Sequence, residues 1–459
     1  MNESDRACFA FHDAIAGFEL AAGEVEQAAR LLVADSVLCA VAAASAGRTR
    51  LALGIASAFE GVPQAEVAGI ALRLPAPAAA LVNADAMNLL DADDTFREAG
   101  HFGALQVAVA VAATQRRHGS WCDLLRAVVL GFEVCARLQL AAPAGPVFLA
   151  TGQLSVGAAV TAMSVAPARE RRTVGNTIGL AMRHANAPTP RRAVLASLGS
   201  VKYTPFGSIA ATAMLTADLA AAGYQADPLL LHASPGFSQA QGAAPADPAV
   251  LYAPLAPPWQ VTRTSLKPYP SFRTGHPAIN ALKAALADVP EVAQAAGEPA
   301  RLLASILRID AHVSEGVLRL PIHDATEEIP DDHLAPIRTA MDLRHSLTMT
   351  LLGVPPGPRW SDARWLHDRD VRACKSRIDV AAGPGGDALA SVRIVTASGE
   401  WWGHCRHNDG DFEPAARRPD WAWIRRKARN FGVDPEIVTA IEQAPLEARV
   451  REVYRKCGA

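Results

Sequence analysis

The chain has 459 residues, of which 50% are hydrophobic and 20% charged, with a formal net charge of −2. That length allows two or three domains of roughly 150 residues each. The near-neutral balance excludes the basic face that nucleic acid or an anionic membrane surface requires. The seven cysteines (Cys8, Cys39, Cys122, Cys135, Cys374, Cys405 and Cys457) lie far apart with no CxxC pair. This argues for reduced thiols in the cytoplasm and against a disulfide framework.

In chain order, residues 1–13 alternate charge with apolar side chains and lack the apolar core of a signal peptide. Residues 24–46 place Val25, Ala28, Leu32, Val33, Ser36 and Cys39 near helical spacing, with Gly47 as a stop. Segments 76–90, 103–115, 120–140, 153–165 and 173–182 read as further helices. Many are apolar on most faces, the pattern of helices buried among helices. The uncharged stretch 138–168 is interrupted by Pro143, Gly145, Pro146, Gly152 and Gly157, so no membrane span is expected there. Residues 1–258 are expected to form one large all-helical domain, closed by the proline-rich linker Ala253-Pro254-Leu255-Ala256-Pro257-Pro258. Beyond it, 305–310, 377–380 and 391–395 read as strands, with helices at 277–287 and 334–352. Residues 260–405 then form a smaller α+β lid domain. Segments 420–430 and 434–443 are helical, and 410–459 is expected to pack back on the first domain. The predicted fold is mainly α: a large all-helical domain plus a smaller α+β lid domain.

The densest chemistry lies between Asn88 and Gly103. Asp91, Asp93, Asp94, Thr95, Glu98 and His101 fall within eleven positions, flanked by apolar sequence. Such charge beside buried segments is costly unless paired or used. If the stretch closes a helix and opens a loop, Asp91 and Thr95 are expected to share a face at i, i+4. His101 is the member whose ordinary pKa suits proton transfer near neutrality. The competing reading is that the aspartates cap helices. Lys202 is the only lysine in the first 266 residues, a candidate for a substrate carboxylate. Lys267, Arg273 and His276 sit in a segment stiffened by Pro268, Pro270 and Pro277, which presents cations to an anion at little ordering cost. His184, His345, His404 and His407 are isolated and read as hydrogen-bonded structural histidines, with a zinc site at 404–407 weakly supported.

Asp91-Ala92-Asp93-Asp94-Thr95 also fits the DxDxT pattern of magnesium-dependent phosphatases, which needs a preceding buried strand. Ala84-Asp85-Ala86-Met87-Asn88 is a poor one. Phe96 stands where an EF-hand loop requires glycine. Walker A, strand-preceded GxGxxG and GxSxG motifs are absent from the sequence.

Leu90-Asp91-Ala92-Asp93-Asp94-Thr95 with His101 resembles the LDFDDT…HPG signature of the MmgE/PrpD family. That family includes 2-methylcitrate dehydratase, cis-aconitate decarboxylase and iminodisuccinate epimerase. Lys267-Pro268-Tyr269-Pro270 with His276-Pro277-Ala278-Ile279 resembles its KPYP…HPAI signature, and the segments at 34–47, 131–134, 175–181 and 201–207 echo it in order.

The resemblance implies a homodimer, a cleft between helical and lid domains, and cofactor-free, metal-free lyase or isomerase chemistry on a small carboxylic acid. It implies His101, Asp91 and Lys202 as catalytic residues and Thr95 and Lys267 as substrate-binding residues; Arg273 and His276, on the same stiffened segment as Lys267, are expected to bind substrate as well. The lysines would hold carboxylates and stabilise charge as an α-proton leaves. His101 would move that proton, and Asp91 would orient a neighbour or set its pKa. The sequence departs from the family at several places. Val147-Phe148-Leu149-Ala150-Thr151-Gly152 lacks the usual histidine. Met349 stands where some members carry tyrosine, Pro205 replaces a frequent histidine, Ser271-Phe272 replaces Cys-Cys, and Phe102 replaces the proline of HPG. These losses point to a diverged substrate with an apolar portion, as in secondary metabolism, or to a carboxylate-binding paralogue without turnover.

Overall fold

The computed structural model describes every residue except 97–99, 143–147, 150, 167–168, 191–204, 296–297, 319–332, 384–388, 415–417 and 458–459. In the first half the helices are α1 (Glu3–Ala16), α2 (Glu24–Ser45), α3 (Arg50–Ala56), α4 (Ala76–Leu89), α5 (Gly103–Arg116), α6 (Trp121–Ala141), α7 (Gly152–Ser164), α8 (Arg171–Arg183) and α9 (Phe206–Ala221). The fold is mainly α with a small sheet region, as the sequence leads one to expect. Ends agree because they are chemically marked. Ser120 caps α6, its Oγ accepting from Asp123 N at 3.2 Å while Asp123 Oδ2 accepts from Ser120 N at 2.9 Å.

Within the first 258 residues the structure adds short strands to the expected helices. The hairpin of β1 (Ala65–Val67) and β2 (Ile70–Leu74) is the clearest. It is pinned to α4 by Asn83, whose Oδ1 accepts from Ala68 N at 2.9 Å and whose Nδ2 donates to Glu66 O at 3.0 Å. Three two-residue strands follow: β3 (Thr95–Phe96), β4 (Phe148–Leu149) and β5 (Thr189–Pro190).

The second half opens with β6 (Thr264–Ser265), which pairs antiparallel with β3. Helix α10 (His276–Leu286) packs on a four-stranded sheet of β7 (Ile306–Val313), β8 (Ile378–Ala382), β9 (Ala390–Thr396) and β10 (Glu400–Cys405), in the order β10-β9-β7-β8. Only the β7–β8 pair is parallel. Helix and sheet approach closely at Gly403, where a Cβ would stand 2.0 Å from Ala281 O. The expected helix over 334–352 is interrupted. It is two helices, Ala335–Ala340 and α11 (Leu343–Leu351), because Asp342 leaves helical geometry to cap the second through His345 N at 3.0 Å. Helices α12 (Trp421–Phe431) and α13 (Pro435–Glu442) end the described fold's larger elements and lie against α2.

Buried apolar side chains gather in two large clusters. One takes residues from Phe11 to Leu266 and again from Trp423 to Tyr454; the other takes residues from Tyr269 to Cys405. The chain passes between them at 266–269 and returns at 405–423. The two passages touch where Leu266 N donates to Gly410 O at 2.9 Å. Lys267 stands on the outgoing passage. Among the described helices, only Glu24–Ser45 is long and apolar enough to cross a membrane, and 78% of its most apolar window is buried inside the protein.

Candidate active site

Helix α4 ends at Leu89, and the chain reverses at Asp91, which takes a left-handed backbone with φ 51°. This conformation is strained for a residue other than glycine. It sends the acidic run off the helix, so Asp91 and Thr95 do not share a helical face. Thr95 instead lies in β3, opposite Ser265 of β6. That register brings Lys267, two residues farther on, to Asp91. Its Nζ donates to Asp91 Oδ1 at 2.5 Å and to Asp91 O at 2.9 Å. Both side chains are buried.

The three aspartates divide their work. Asp93 Oδ2 accepts from Asn88 Nδ2 at 2.9 Å and lies 3.2 Å from His101 Nδ1. An ionised carboxylate only accepts, so in this pair Nδ1 is the donor, and on a neutral ring the lone pair then falls on Nε2. Asp94 turns the other way and caps α5, its two oxygens accepting from Gly103 N and Ala104 N at 3.0 Å each. Residue 103 must be glycine for this approach, since a Cβ there would lie 2.3 Å from Leu32 Cδ1 and 2.7 Å from Asp94 Oδ1. Burial, with the Asp93 charge beside it, raises Asp94 to about 7 against the pull of those two N–H groups. Capping therefore accounts for Asp94, whereas Asp91 and Asp93 face a lysine and a histidine. Thr95 Oγ1 is buried with no hydrogen-bond partner among the described residues.

The other expected site residues fall as follows. Lys202 lies outside the described residues, as do Val147 and Ala150 of the segment lacking the family histidine. Arg273 donates to Asp411 Oδ1 at 2.6 Å and to Ser265 Oγ at 3.3 Å, tying the two inter-cluster passages together. His276 is buried at the start of α10, its Nε2 donating to Ser271 O at 3.0 Å. Burial, with Lys267 and Arg273 adding to it, lowers His276 from 6.5 to about 3, so the ring is neutral. Met349 is fully buried in the second cluster.

The His276 shift sets a pH dependence. Below pH 6.5 the unfolded chain binds a proton at this residue that the folded chain does not, so its contribution to stability falls as pH drops from 6.5 toward 3. Relative to His276→Gln, the wild type should lose up to about 1.4 kcal/mol per pH unit in that window. Urea unfolding of both proteins at neutral and mildly acidic pH checks this, and a constant difference would show the ring titrating normally.

Two residues of this region carry no obvious mark in the sequence. Lys427 of α12 is buried, and its Nζ donates to Asp35 Oδ1 of α2 at 2.5 Å and to Ala92 O at 2.6 Å. Burial pushes Asp35 up to about 6 while Lys427 pulls it back; burial is the largest single influence on Lys427 and pulls it down, but Asp35, Cys39 and Asp93 together outweigh it and hold the ammonium above its ordinary value. The available signal was spacing. Trp423, Lys427 and Phe431 recur every four residues, which puts the lysine on the helix's apolar stripe.

Asp91, Asp93 and His101 each offer a ligand atom within 4.8 Å of the others, a spacing that could hold a metal ion. The Lys267 ammonium, however, already sits 2.5 Å from Asp91 Oδ1 and supplies positive charge at that point. A divalent cation bound there would be repelled by it.

The model of the MmgE/PrpD N-terminal domain matches residues 11–246. The chain belongs to the MmgE/PrpD family. The match covers Asp91, Thr95, His101 and Lys202, while Lys267, Arg273, His276 and Lys427 lie beyond it. MmgE/PrpD proteins are generally dehydratases and related lyases. No curated protein matches the chain. The phosphatase alternative fails on geometry as well, because Asp91 follows a helix where a DxDxT enzyme needs a buried strand.

Proposed function

We propose that this MmgE/PrpD protein is a cofactor-independent lyase or isomerase that moves a proton α to a carboxylate of a small organic acid. The observation that carries the reading is the Asp93–His101 hydrogen bond at 3.2 Å, formed on the same buried turn as the Lys267–Asp91 ion pair. In this reading His101 Nε2 takes the α-proton, and Asp93 stabilises the imidazolium that results. Charge that develops on the substrate carboxylate meets ammonium groups. Lys267 has a third N–H beyond the two donated to Asp91, and Lys202 is the second candidate. Thr95 Oγ1 supplies a hydroxyl for a substrate oxygen. Epimerisation follows if a second donor protonates the opposite face while His101 keeps the abstracted proton; delivery of that proton to a departing hydroxide gives water and an alkene. Loss of carbon dioxide in place of proton abstraction leaves a carbanion, and on that route His101 must start protonated so that its Nε2–H quenches it.

Incubation with a panel of di- and tricarboxylates in deuterated water tests this. The expected result is deuterium incorporation or a new product, unchanged after dialysis against EDTA. Binding of an acid with neither outcome would establish a binding protein in its place. Activity lost to EDTA and restored by a divalent metal would overturn the cofactor-free part.

A further inference from the structure

We infer that Lys427 is a positioning residue of this site: from α12 it fixes the Ala92–Asp93 peptide and so aims the carboxylate that holds His101. The inference rests on the proposed reading for what the site does, and on geometry for the rest. Two ammonium groups grip successive carbonyls of the acidic turn, Lys267 at Asp91 O (2.9 Å) and Lys427 at Ala92 O (2.6 Å). The turn between them opens with the left-handed Asp91, a conformation that persists only where surroundings over-determine it. The Ala92 carbonyl and the Asp93 N–H belong to one planar peptide. Holding the carbonyl therefore sets the direction in which the Asp93 side chain leaves the backbone.

Lys427 is built for a fixed contact. It is buried, its Nζ lies 3.6 Å from Cys39 Sγ, and the Trp423 and Phe431 rings stand 5.9 Å and 5.3 Å away. Asp35 balances its charge. If pinning α12 to α2 were the whole role, the pair with Asp35 would suffice; the bond to Ala92 O reaches past that partner into the acidic turn.

The test separates the two roles. In Lys427→Met/Asp35→Leu both charges leave together, so no ion is stranded in the core. The expected result is a folded protein whose kcat falls about tenfold or more while KM changes less than about threefold. The ring signals of His101, read by NMR in protein labelled with 15N-histidine and assigned by their loss in His101→Gln, should shift. Should the double variant not fold, Lys427→Arg keeps the charge on Asp35 but brings a planar fork in place of a point donor. The His101 signals should shift there too. Retention of kcat within about twofold and unmoved His101 signals in the folded double variant, or unmoved signals in Lys427→Arg, would overturn the inference. A wild-type protein that turns over no acid would defeat the lyase reading alone, and the ring signals would still decide the role of Lys427.

Discussion

His101→Gln should lower turnover by about 10²–10⁴-fold, the usual contribution of a positioned acid–base group. Glutamine keeps a polar side chain near Asp93 but has no basic nitrogen. Affinity for the acid should therefore change little, and the loss should appear in kcat and kcat/KM alike. Initial rates of deuterium exchange, measured beside direct binding of the same acid, check this. An unchanged exchange rate would remove His101 from the mechanism. Asp93→Asn should reproduce much of the loss, because an amide can present its N–H to the ring and favour the wrong tautomer.

Lys267→Met should destabilise the protein by about 3–5 kcal/mol, the cost of leaving one partner of a buried ion pair uncompensated. Asp91 is fully buried, and the lysine donates to both its carboxylate and its carbonyl. Urea unfolding followed by tryptophan fluorescence measures the loss. Lys267→Met/Asp91→Leu should recover part of it, since both charges are then gone. A loss below about 1 kcal/mol in the single variant would show the pair to be hydrated and weak.

The helices were legible because their signals are local. Apolar periodicity over 103–115 and the Ser120–Asp123 cap need no distant partner. The break at Asp342 was not legible, since the same apolar spacing runs on either side of it and only the capping contact with His345 N ends one helix and starts the next. The hairpin at 65–74 is too short to carry a periodic pattern. In the acidic turn the residue types were legible and their division of labour was not. Asp91, Asp93 and Asp94 are chemically alike, and each is assigned by what tertiary structure brings to it: a lysine 176 positions away, a histidine, and the start of α5. Lys427 was the least visible, because its partners Asp35 and Ala92 lie 392 and 335 positions earlier.

That separation bears on how the molecule is made. A nascent chain that has not reached α12 already holds Asp35 in α2 but lacks the ammonium that hydrogen-bonds to it. Because α12 follows the helical body along the chain, termination before it should leave a buried carboxylate without its lysine partner beside the acidic turn. A product cut short before α12 is therefore expected to have a loosened interior around Asp35 and Ala92, even though most of its helices are present.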